Sequence, residues 1–324
     1  MMRRRGRLRL AFVLAGTICI AGCDSEPVEG RRAVTVVRLT SGTPGAGFHP
    51  LGEGLARAFA RQVPDIALEV HESPGAVRNV EALQAGTADI GFAFADVAYL
   101  AYVGRLPGRP EPFDRLRGIA VLQLTPLHLV VPAGAPIRRI GELRGKRVGI
   151  GPRGSGTALT SSIVLEAFGI DAGDVAMVPV SFSDVPAALA AGAIDAAFMN
   201  AGYPAASISE VTATGARLLA VDGPPIARLR AAYPFFRLTF IPGGTYAGQP
   251  GAVHTIGVDN LLLCRADLDE GLVYRLTQAL FGVLPDLSGE RISLRMMDVN
   301  NAPATPVPLH EGAARFYREL ELTR

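Results

Sequence analysis

A glycine-rich turn between an apolar run and an amphipathic segment is the part of this sequence best suited to hold a charged group. Residues 146–169, KRVGIGPRGSGTALTSSIVLEAFG, predict a strand, a tight turn and a helix that ends at Gly169. Ser155 or Thr157 can cap this helix, whose first N–H groups and positive dipole end would face a ligand. The stretch therefore predicts a cradle for a small anion.

Other interpretations of the same turn stay open. Gly149, Gly151 and Gly154 have the GxGxxG spacing of a dinucleotide site, and Asp171 follows about 20 residues later. No second nucleotide signal follows, and a P-loop is disfavoured because no lysine follows Gly156. The turn can also be an ordinary link between a strand and a helix.

The sequence shows no pattern typical of catalysis or of metal binding. It has no GxSxG motif, no Ser, His and Asp group at a recognisable spacing, and five scattered histidines. Cys264 stands alone in an apolar run, which predicts a buried thiol. We therefore expect no enzymatic activity, no metal and no cofactor. The net charge of +2 without a basic stripe argues against nucleic acid as a partner.

The N-terminus has the pattern of a targeting segment. Five arginines within the first nine residues precede a short apolar run, 10–20, that cannot span a bilayer as a stable helix. The sequence IAGC, ending at Cys23, resembles a bacterial lipobox, which implies cleavage before Cys23 and lipid on its thiol. Asp24 then implies retention at the inner membrane, on its periplasmic side, and polar residues 24–32 would form a tether. Plain secretion to the periplasm is the alternative.

The order of strand, glycine turn and helix occurs twice along the chain. The run 34–39 precedes the first turn, SGTPGAGFHPLGEG at 41–54, as the strand before Gly149 precedes the second. The pattern LxAGxxDxxF also occurs twice, with Asp89 and Asp195 lying 106 residues apart at turn positions. Strands alternating with helices predict a mostly parallel sheet in each of two lobes. We expect 33–124 with 245–324 to form lobe I, 125–244 to form lobe II, and a ligand cleft to lie between them.

Eight segments together resemble the TAXI-type solute-binding proteins of TRAP transporters, and the resemblance covers nearly all of the chain after the targeting segment. No single segment is specific to this family, but the set of eight segments in this order is specific to it. The segments are SGTPGAGFHPLGEGLA (41–56), SPGAVRNVEALQAGTADIGFAFADV (73–97), LHLVV (127–131), LRGKRVGIGPRGSGT (143–157), AGAIDAAFMNAGYPAASI (191–208), IPGGTYAGQ (241–249), VYRLTQALF (273–281) and VPLHEGAARFYRE (307–319).

The resemblance implies a periplasmic-binding-protein type II fold with two lobes. It also implies a monomer that captures a small solute, often a carboxylate such as glutamate or 2-oxoglutarate, and presents it to TRAP permease subunits in the membrane. Carried over by position, the binding residues on the first wall are Thr43, Gly47, Phe48, Ser73, Ala76, Asn79, Ala95 and Asp96. Those on the opposing wall are Ser155, Gly156, Thr157, Asn200, Gly202 and Tyr203, with Tyr246 nearby.

Two positions depart from the family's usual pattern. Ala76 and Ala95 stand where serine is common, so two hydroxyl donors are missing from the predicted cleft. A hydrogen bond to a charged group contributes about 1.5–3 kcal/mol, so a dicarboxylate site would be weakened unless Arg153 or Arg78 compensates. The departures favour a more apolar solute or one with a single carboxylate.

Three functions fit the residues in different ways. A transport subunit is the leading hypothesis, because it needs no nucleophile and no acid–base pair. A periplasmic ligand-sensing subunit of a membrane signalling system would have the same fold and cleft. An NAD-dependent oxidoreductase would use the GxGxxG turn, but a soluble nicotinamide cofactor is not expected outside the cytoplasm.

Overall fold

Three parallel strands with helices between them form the first half of the fold. The computed structural model describes residues 34–44, 47–290, 297 and 300–322. The strands lie in the order β2-β1-β3, with Thr35 of β1 opposite Ile66 of β2. The elements of this half are β1 (Thr35–Thr40), α1 (Phe48–Gln62), β2 (Ile66–His71), α2 (Ala76–Ala85), β3 (Ile90–Phe94) and α3 (Ala95–Tyr102).

The second half repeats this arrangement after one long strand, β4 (Leu116–Val131), and a 3-10 turn (Ile140–Leu143). Its three parallel strands lie in the order β6-β5-β7, which matches β2-β1-β3 of the first half. The predicted repeat is therefore present as one strand order used twice. The elements are β5 (Arg147–Gly149), α4 (Gly156–Ala167), β6 (Ala176–Val178), α5 (Val185–Ala190), β7 (Ala196–Asn200) and α6 (Ala206–Ala213).

Two long antiparallel strands join the halves into one sheet. They are β4 and β10 (Val253–Arg265), which lie side by side between β3 and β7. β8 (Arg217–Leu219) pairs with β4, and β9 (Phe236–Ile241) pairs with β10. Helices α7 (Pro224–Ala232), α8 (Glu270–Glu290) and α9 (Glu311–Leu322) complete the described elements. The predicted α/β fold class, with parallel strands flanked by helices at both ends, is confirmed.

An arginine–aspartate pair occurs at the same place in each half. Asp89 accepts hydrogen bonds from the backbone N–H, Nε and Nη2 of Arg38 at 2.8–2.9 Å. Asp195 accepts the same three bonds from Arg147 at 2.8–3.1 Å. Each aspartate thus fixes the turn before β3 or β7 to the start or middle of the neighbouring parallel strand. Both act in the structure as turn residues, as the sequence predicts.

Some local expectations need correction. The predicted lobe boundary at 124/125 falls inside one continuous strand, the 16-residue β4. Asp96, predicted as a binding residue, lies in the first turn of α3, whose N-cap residue is Phe94. The division into two lobes stays a prediction. The predicted signal peptide, Cys23 and tether lie outside the described residues.

The central strands are buried on both faces, since all five residues of β3 and of β7 are buried, and most of the buried hydrophobic side chains are aliphatic. Cys264 is fully buried and free, as predicted, and burial raises the pKa of its thiol. Within the described ranges, no helix is both long and apolar enough to cross a bilayer.

Candidate ligand-binding site

One cavity of about 610 Å³ lies where the carboxyl ends of the parallel strands of both halves meet. The glycine turn after β1 contributes Gly42, Thr43 and Gly47, and the turn after β5 contributes Pro152 and Ser155. In open α/β sheets, ligands bind in crevices outside the carboxyl ends of the strands. The structure therefore places the two predicted turns at the same cavity.

Ten of the fifteen residues predicted to bind the ligand line this cavity. They are Thr43, Gly47, Phe48, Ala76, Ser155, Gly156, Thr157, Asn200, Gly202 and Tyr203. Asn200 ends β7, and the other nine belong to turns or first helical turns, whose positions the local sequence indicates well. Their contact with a ligand stays a prediction.

The other five do not line the cavity, because their side chains pack behind its wall. They are Ser73, Asn79, Ala95, Asp96 and Tyr246. Ala95, Asp96 and Asn79 have at most 2% of their surface exposed. The predicted compensating cations, Arg78 and Arg153, also lie outside the lining, and Arg78 pairs with Glu81 at 2.6 Å.

Asn79 stabilises the first wall of the cavity through hydrogen bonds of its side chain. Its Nδ2 donates to the backbone carbonyls of Ser41 and Phe92, at 2.6 and 2.7 Å. Its Oδ1 accepts from the hydroxyls of Thr40 (2.7 Å) and Ser73 (2.6 Å). The side chain is fully buried and four hydrogen bonds satisfy it, so Asn79 positions the turn that begins α2 without being available to a ligand.

A second buried network runs behind the opposing wall. Nδ2 of Asn200 donates to Oγ1 of Thr160 at 3.0 Å, and this hydroxyl donates to Oδ2 of Asp96 at 2.7 Å. The single proton of the Thr160 hydroxyl is directed at Oδ2 of Asp96 and at the carbonyl of Gly156, 3.0 Å away, so this hydroxyl accepts from Asn200. The network therefore fixes the amide of Asn200 with its nitrogen turned inward.

The two walls approach closely near α2 and α4. A Cβ on Gly156 would lie 2.2 Å from Cδ2 of Phe94, and a Cβ on Gly75 would lie 3.4 Å from Cα of Ser155. The backbone N–H of Arg78 donates to the carbonyl of Gly154 at 3.2 Å. Ser155 caps α4, as predicted, by accepting from the N–H of Ala158 at 3.2 Å. Glycine at 156 is required because a side chain there would fill the space that Phe94 occupies.

Four helix N-termini open on the cavity. Residues of the first turns of α1, α2, α4 and α6 are in its lining, including Phe48, Ala76, Gly156 and Ala206. Free N–H groups and positive dipole ends at such positions favour an anion. The arrangement can hold a carboxylate without an arginine or a lysine.

The described residues of the lining include no Asp, Glu, His, Lys or Arg. Apolar and aromatic surface is supplied by Leu51, Phe94, Phe182 and several prolines, with the rings of Phe48 and Phe94 5.0 Å apart. The cavity thus combines an apolar body with uncharged polar groups. No group of three potential metal ligands occurs in the described ranges.

Four polar residues of the lining were not predicted from the sequence: Ser207 in the first turn of α6, and three residues on strands. Gln123 and Thr125 come from β4, and Asn260 comes from β10. They are embedded in apolar runs that predict buried strands, and no local signal marks them. Pairing of Asn260 with Gln123 across the two long strands brings them to the cavity.

The geometry does not support a dinucleotide site at the GxGxxG turn. Asp171, which would bind the ribose, is exposed in the turn before β6 and is not in the lining of the cavity. Its backbone N–H donates to Oδ2 of Asp174 at 3.1 Å, as in an ordinary turn.

Solved structures share this fold at low sequence identity. MatC from Rhodopseudomonas palustris with bound malate is 16% identical with a TM-score of 0.56, over 89% of this chain and 97% of that chain. A periplasmic transporter is 16% identical with a TM-score of 0.55, over 89% and 93%. A putative L-cystine ABC transporter from Listeria monocytogenes is 14% identical with a TM-score of 0.50, over 83% and 98%.

A family model covers most of the described chain. It matches residues 39–320, from the end of β1 to the end of α9, and so includes every element that lines the cavity. The chain belongs to the NMT1-like family.

Proposed function

We propose that this protein is the solute-binding subunit of a transporter, that it works outside the cytoplasm, and that it captures a small organic acid or amino acid through a carboxylate. The observation that carries this proposal is the meeting of the two glycine turns, after β1 and β5, at one cavity with four helix N-termini. Such an arrangement favours a small anion, and the described lining residues include no histidine, carboxylate or lysine that could activate their hydroxyls.

The comparisons support this class of function. Proteins of the same fold include a periplasmic transporter, a putative ABC transporter of L-cystine and a protein with bound malate, which is a carboxylate. The eight sequence segments quoted above favour a TRAP-type transporter of the TAXI kind, with the solute delivered to a membrane permease. The lipobox-like sequence at Cys23 favours a lipid anchor on the periplasmic side of the inner membrane.

Capture would proceed by closure of the two halves over the solute. β4 and β10 run continuously between the halves, so a change of bend in these strands would move one wall against the other. Ligand binding would favour the closed state only through the contacts that closure adds. We propose that the protein does this as a monomer.

Mass spectrometry of the solute released from the purified, denatured protein tests the proposal directly. The expected result is a small acid, together with a rise in melting temperature and compaction in solution scattering when the acid is added back. If a broad panel of organic acids and amino acids gave neither effect, and no small acid were released, capture of an acid would be wrong.

A further inference from the structure

Four side chains of the cavity lining each carry a buried oxygen for which no protein partner is present in the described part of the chain. The atoms are Oε1 of Gln123, Oγ1 of Thr125, Oδ1 of Asn200 and Oδ1 of Asn260. Thr125, Asn200 and Asn260 are at most 5% exposed. Buried polar atoms are nearly always hydrogen-bonded in folded proteins, so four such oxygens at one cavity indicate groups kept for a ligand.

These residues come from neighbouring strands in the middle of the sheet. Asn260 of β10 is the register partner of Gln123 of β4, and Thr125 follows two residues later on the same face of β4. Asn200 ends β7, opposite Leu127 of β4. These four side chains therefore form a row, called the polar row below, across the adjacent strands β10, β4 and β7. The helix N-termini lie in the turns around this row.

The orientation of Asn200 shows what such a ligand must offer. Its Nδ2 is engaged by Thr160, which in turn donates to Asp96, so Oδ1 is the atom left to face a partner. A carbonyl oxygen accepts hydrogen bonds and cannot donate them. No hydrogen bond among the described residues fixes the orientation of the Gln123 and Asn260 amides, so these two amides, like the Thr125 hydroxyl, can accept from a ligand or donate to it. The ligand must therefore bring a hydrogen-bond donor to Asn200, and an uncharged group that can both donate and accept suits the other three side chains.

Charge restricts the ligand further. The described lining residues include no cation to neutralise a second carboxylate beside these oxygens and no carboxylate to pair with an ammonium group. Asp96, the buried carboxylate behind Asn200, is separated from the cavity by Thr160. A second charge on the ligand would thus be desolvated without a partner.

We propose that the solute is a monoanion whose carboxylate lies at the helix N-termini and whose other end carries uncharged hydroxyl or carboxamide groups directed at Gln123, Thr125, Asn200 and Asn260. This inference rests on the proposed capture of an acid and narrows it: dicarboxylates and amino acids are disfavoured. The apolar surface of Phe48 and Phe94 would contact the body of the solute between its two ends.

The test compares acids that differ only at the end away from the carboxylate. On an aliphatic scaffold these are glutarate, its monoamide, 5-aminovalerate and hexanoate; on an aromatic one they are terephthalate, 4-carbamoylbenzoate and 4-methylbenzoate. Titration calorimetry on the protein freed of ligand should show that at least one monoamide binds tenfold or more tightly than its dicarboxylate and methyl counterparts. The solute released from the purified protein should be a monoanion with an O–H or N–H donor.

The outcomes separate this inference from the proposed function. If a dicarboxylate, an ammonium compound or a methyl-terminated acid binds as tightly as the monoamide, the inference is wrong and acid capture stands. If the released solute is not an acid and none of these acids binds, both fail.

A pair of isosteric variants tests the polar row itself. Thr125→Val removes an unpartnered hydroxyl, so the melting temperature without ligand should stay the same or rise while the affinity for the preferred monoamide falls about tenfold. Thr255→Val, the control, removes a buried hydroxyl that donates to the carbonyl of Leu127 outside the cavity lining. This control should lower the melting temperature and keep the preference among the acids. Unchanged affinity and preference in both Thr125→Val and Asn260→Leu would overturn the proposal.

Discussion

The hydroxyl of Thr160 in α4 donates a hydrogen bond of 2.7 Å to Oδ2 of Asp96 in α3, a carboxylate without exposed surface. Among the described residues, no cation forms an ion pair with Asp96; its other oxygen accepts from the N–H of Val97 at 2.8 Å. Burial raises the pKa of Asp96 to about 6, although both hydrogen bonds oppose that rise. A titrating carboxyl group thus lies two hydrogen bonds from the cavity, behind Asn200.

The first prediction concerns the pH dependence of stability. Because the folded-state pKa of Asp96 exceeds its ordinary value of 3.8, its contribution to stability is fully present below pH 4 and is lost as the pH rises through about 6. The loss is about 3 kcal/mol. Burial lowers the pKa of His128 from 6.5 to about 4, so its contribution is lost as the pH falls through that range. The two residues oppose each other between pH 4 and 6.5.

Replacing Asp96 therefore exposes the effect of His128. In Asp96→Asn, the free energy of unfolding in urea should rise at pH 7 relative to the wild type, and it should decrease more steeply from pH 6.5 to 4. Asp171→Asn, at an exposed carboxylate, is the control and should follow the wild-type curve. Parallel curves for Asp96→Asn and the wild type would contradict the raised pKa.

The second prediction concerns the close approach of the two walls. Gly156→Ala should abolish the rise in melting temperature caused by the ligand and lower stability by about 1–3 kcal/mol, because its Cβ would lie 2.2 Å from Cδ2 of Phe94. The Phe94 ring packs against Phe48, so it cannot simply move away. Gly173→Ala is the control, since no heavy atom would lie within 4 Å of its Cβ. Normal ligand binding by Gly156→Ala would show that the walls separate more readily than we expect.

Sequence patterns predicted the parts of the fold that local chemistry determines. Glycine turns need no long-range information, and Ser155 has the side chain that an N-cap prefers, so both turns and the cap could be located. The LxAGxxDxxF pattern, which occurs once at Asp89 and once at Asp195, indicated that one topology occurs twice. The same strand order in both halves then brings the two turns to one cavity.

The sequence could not indicate which side chains face the cavity in the middle of the sheet. Gln123 and Asn260 are 137 residues apart and become neighbours only through the antiparallel register of β4 and β10. Asp96 lies in the first turn of a helix beside the site, but tertiary packing turns its side chain inward toward Thr160. The direction in which such a side chain is buried depends on the helix or strand that packs against it, and not on the spacing of residues along the chain.

The third prediction ranks the two arginine–aspartate pairs. Burial raises the pKa of Asp89, but the hydrogen bonds and charge of Arg38, with the charge of Arg265, outweigh it and hold the pKa below its ordinary value. The hydrogen bonds of Arg147 lower the pKa of Asp195. The side chain of Asp89 is 12% exposed and that of Asp195 is 29% exposed.

Asp89→Ala should therefore cost about 3 kcal/mol of the free energy of unfolding, and Asp195→Ala about 1 kcal/mol, because solvent screens the more exposed pair. Asp89→Ala also leaves Arg265 without the ion pair it makes at 3.1 Å. Urea unfolding at pH 7 measures both variants. Equal costs would mean that exposure does not decide the strength of these pairs.

The last prediction concerns Tyr246, which lies behind the cavity. Its hydroxyl accepts from the N–H of Ala205 at 3.0 Å and lies 3.2 Å from Nε2 of His128. Burial raises the pKa of Tyr246 to about 12 and lowers that of His128 to about 4, so the hydroxyl keeps its proton and the imidazole is neutral; the tautomer of His128 decides which of the two donates. Tyr246 therefore positions the N-terminus of α6, whose residues line the cavity.

Tyr246→Phe should leave the N–H of Ala205 without its partner and weaken ligand binding about fivefold to tenfold, which corresponds to about 1–1.4 kcal/mol. Calorimetric titration with the released solute measures the change. Tyr274→Phe is the matched control, because it removes a hydroxyl that donates to Glu319 at the surface, away from the cavity lining. If both variants bound the solute as the wild type does, the position of α6 would not depend on Tyr246, and binding would rest on the other three helix N-termini.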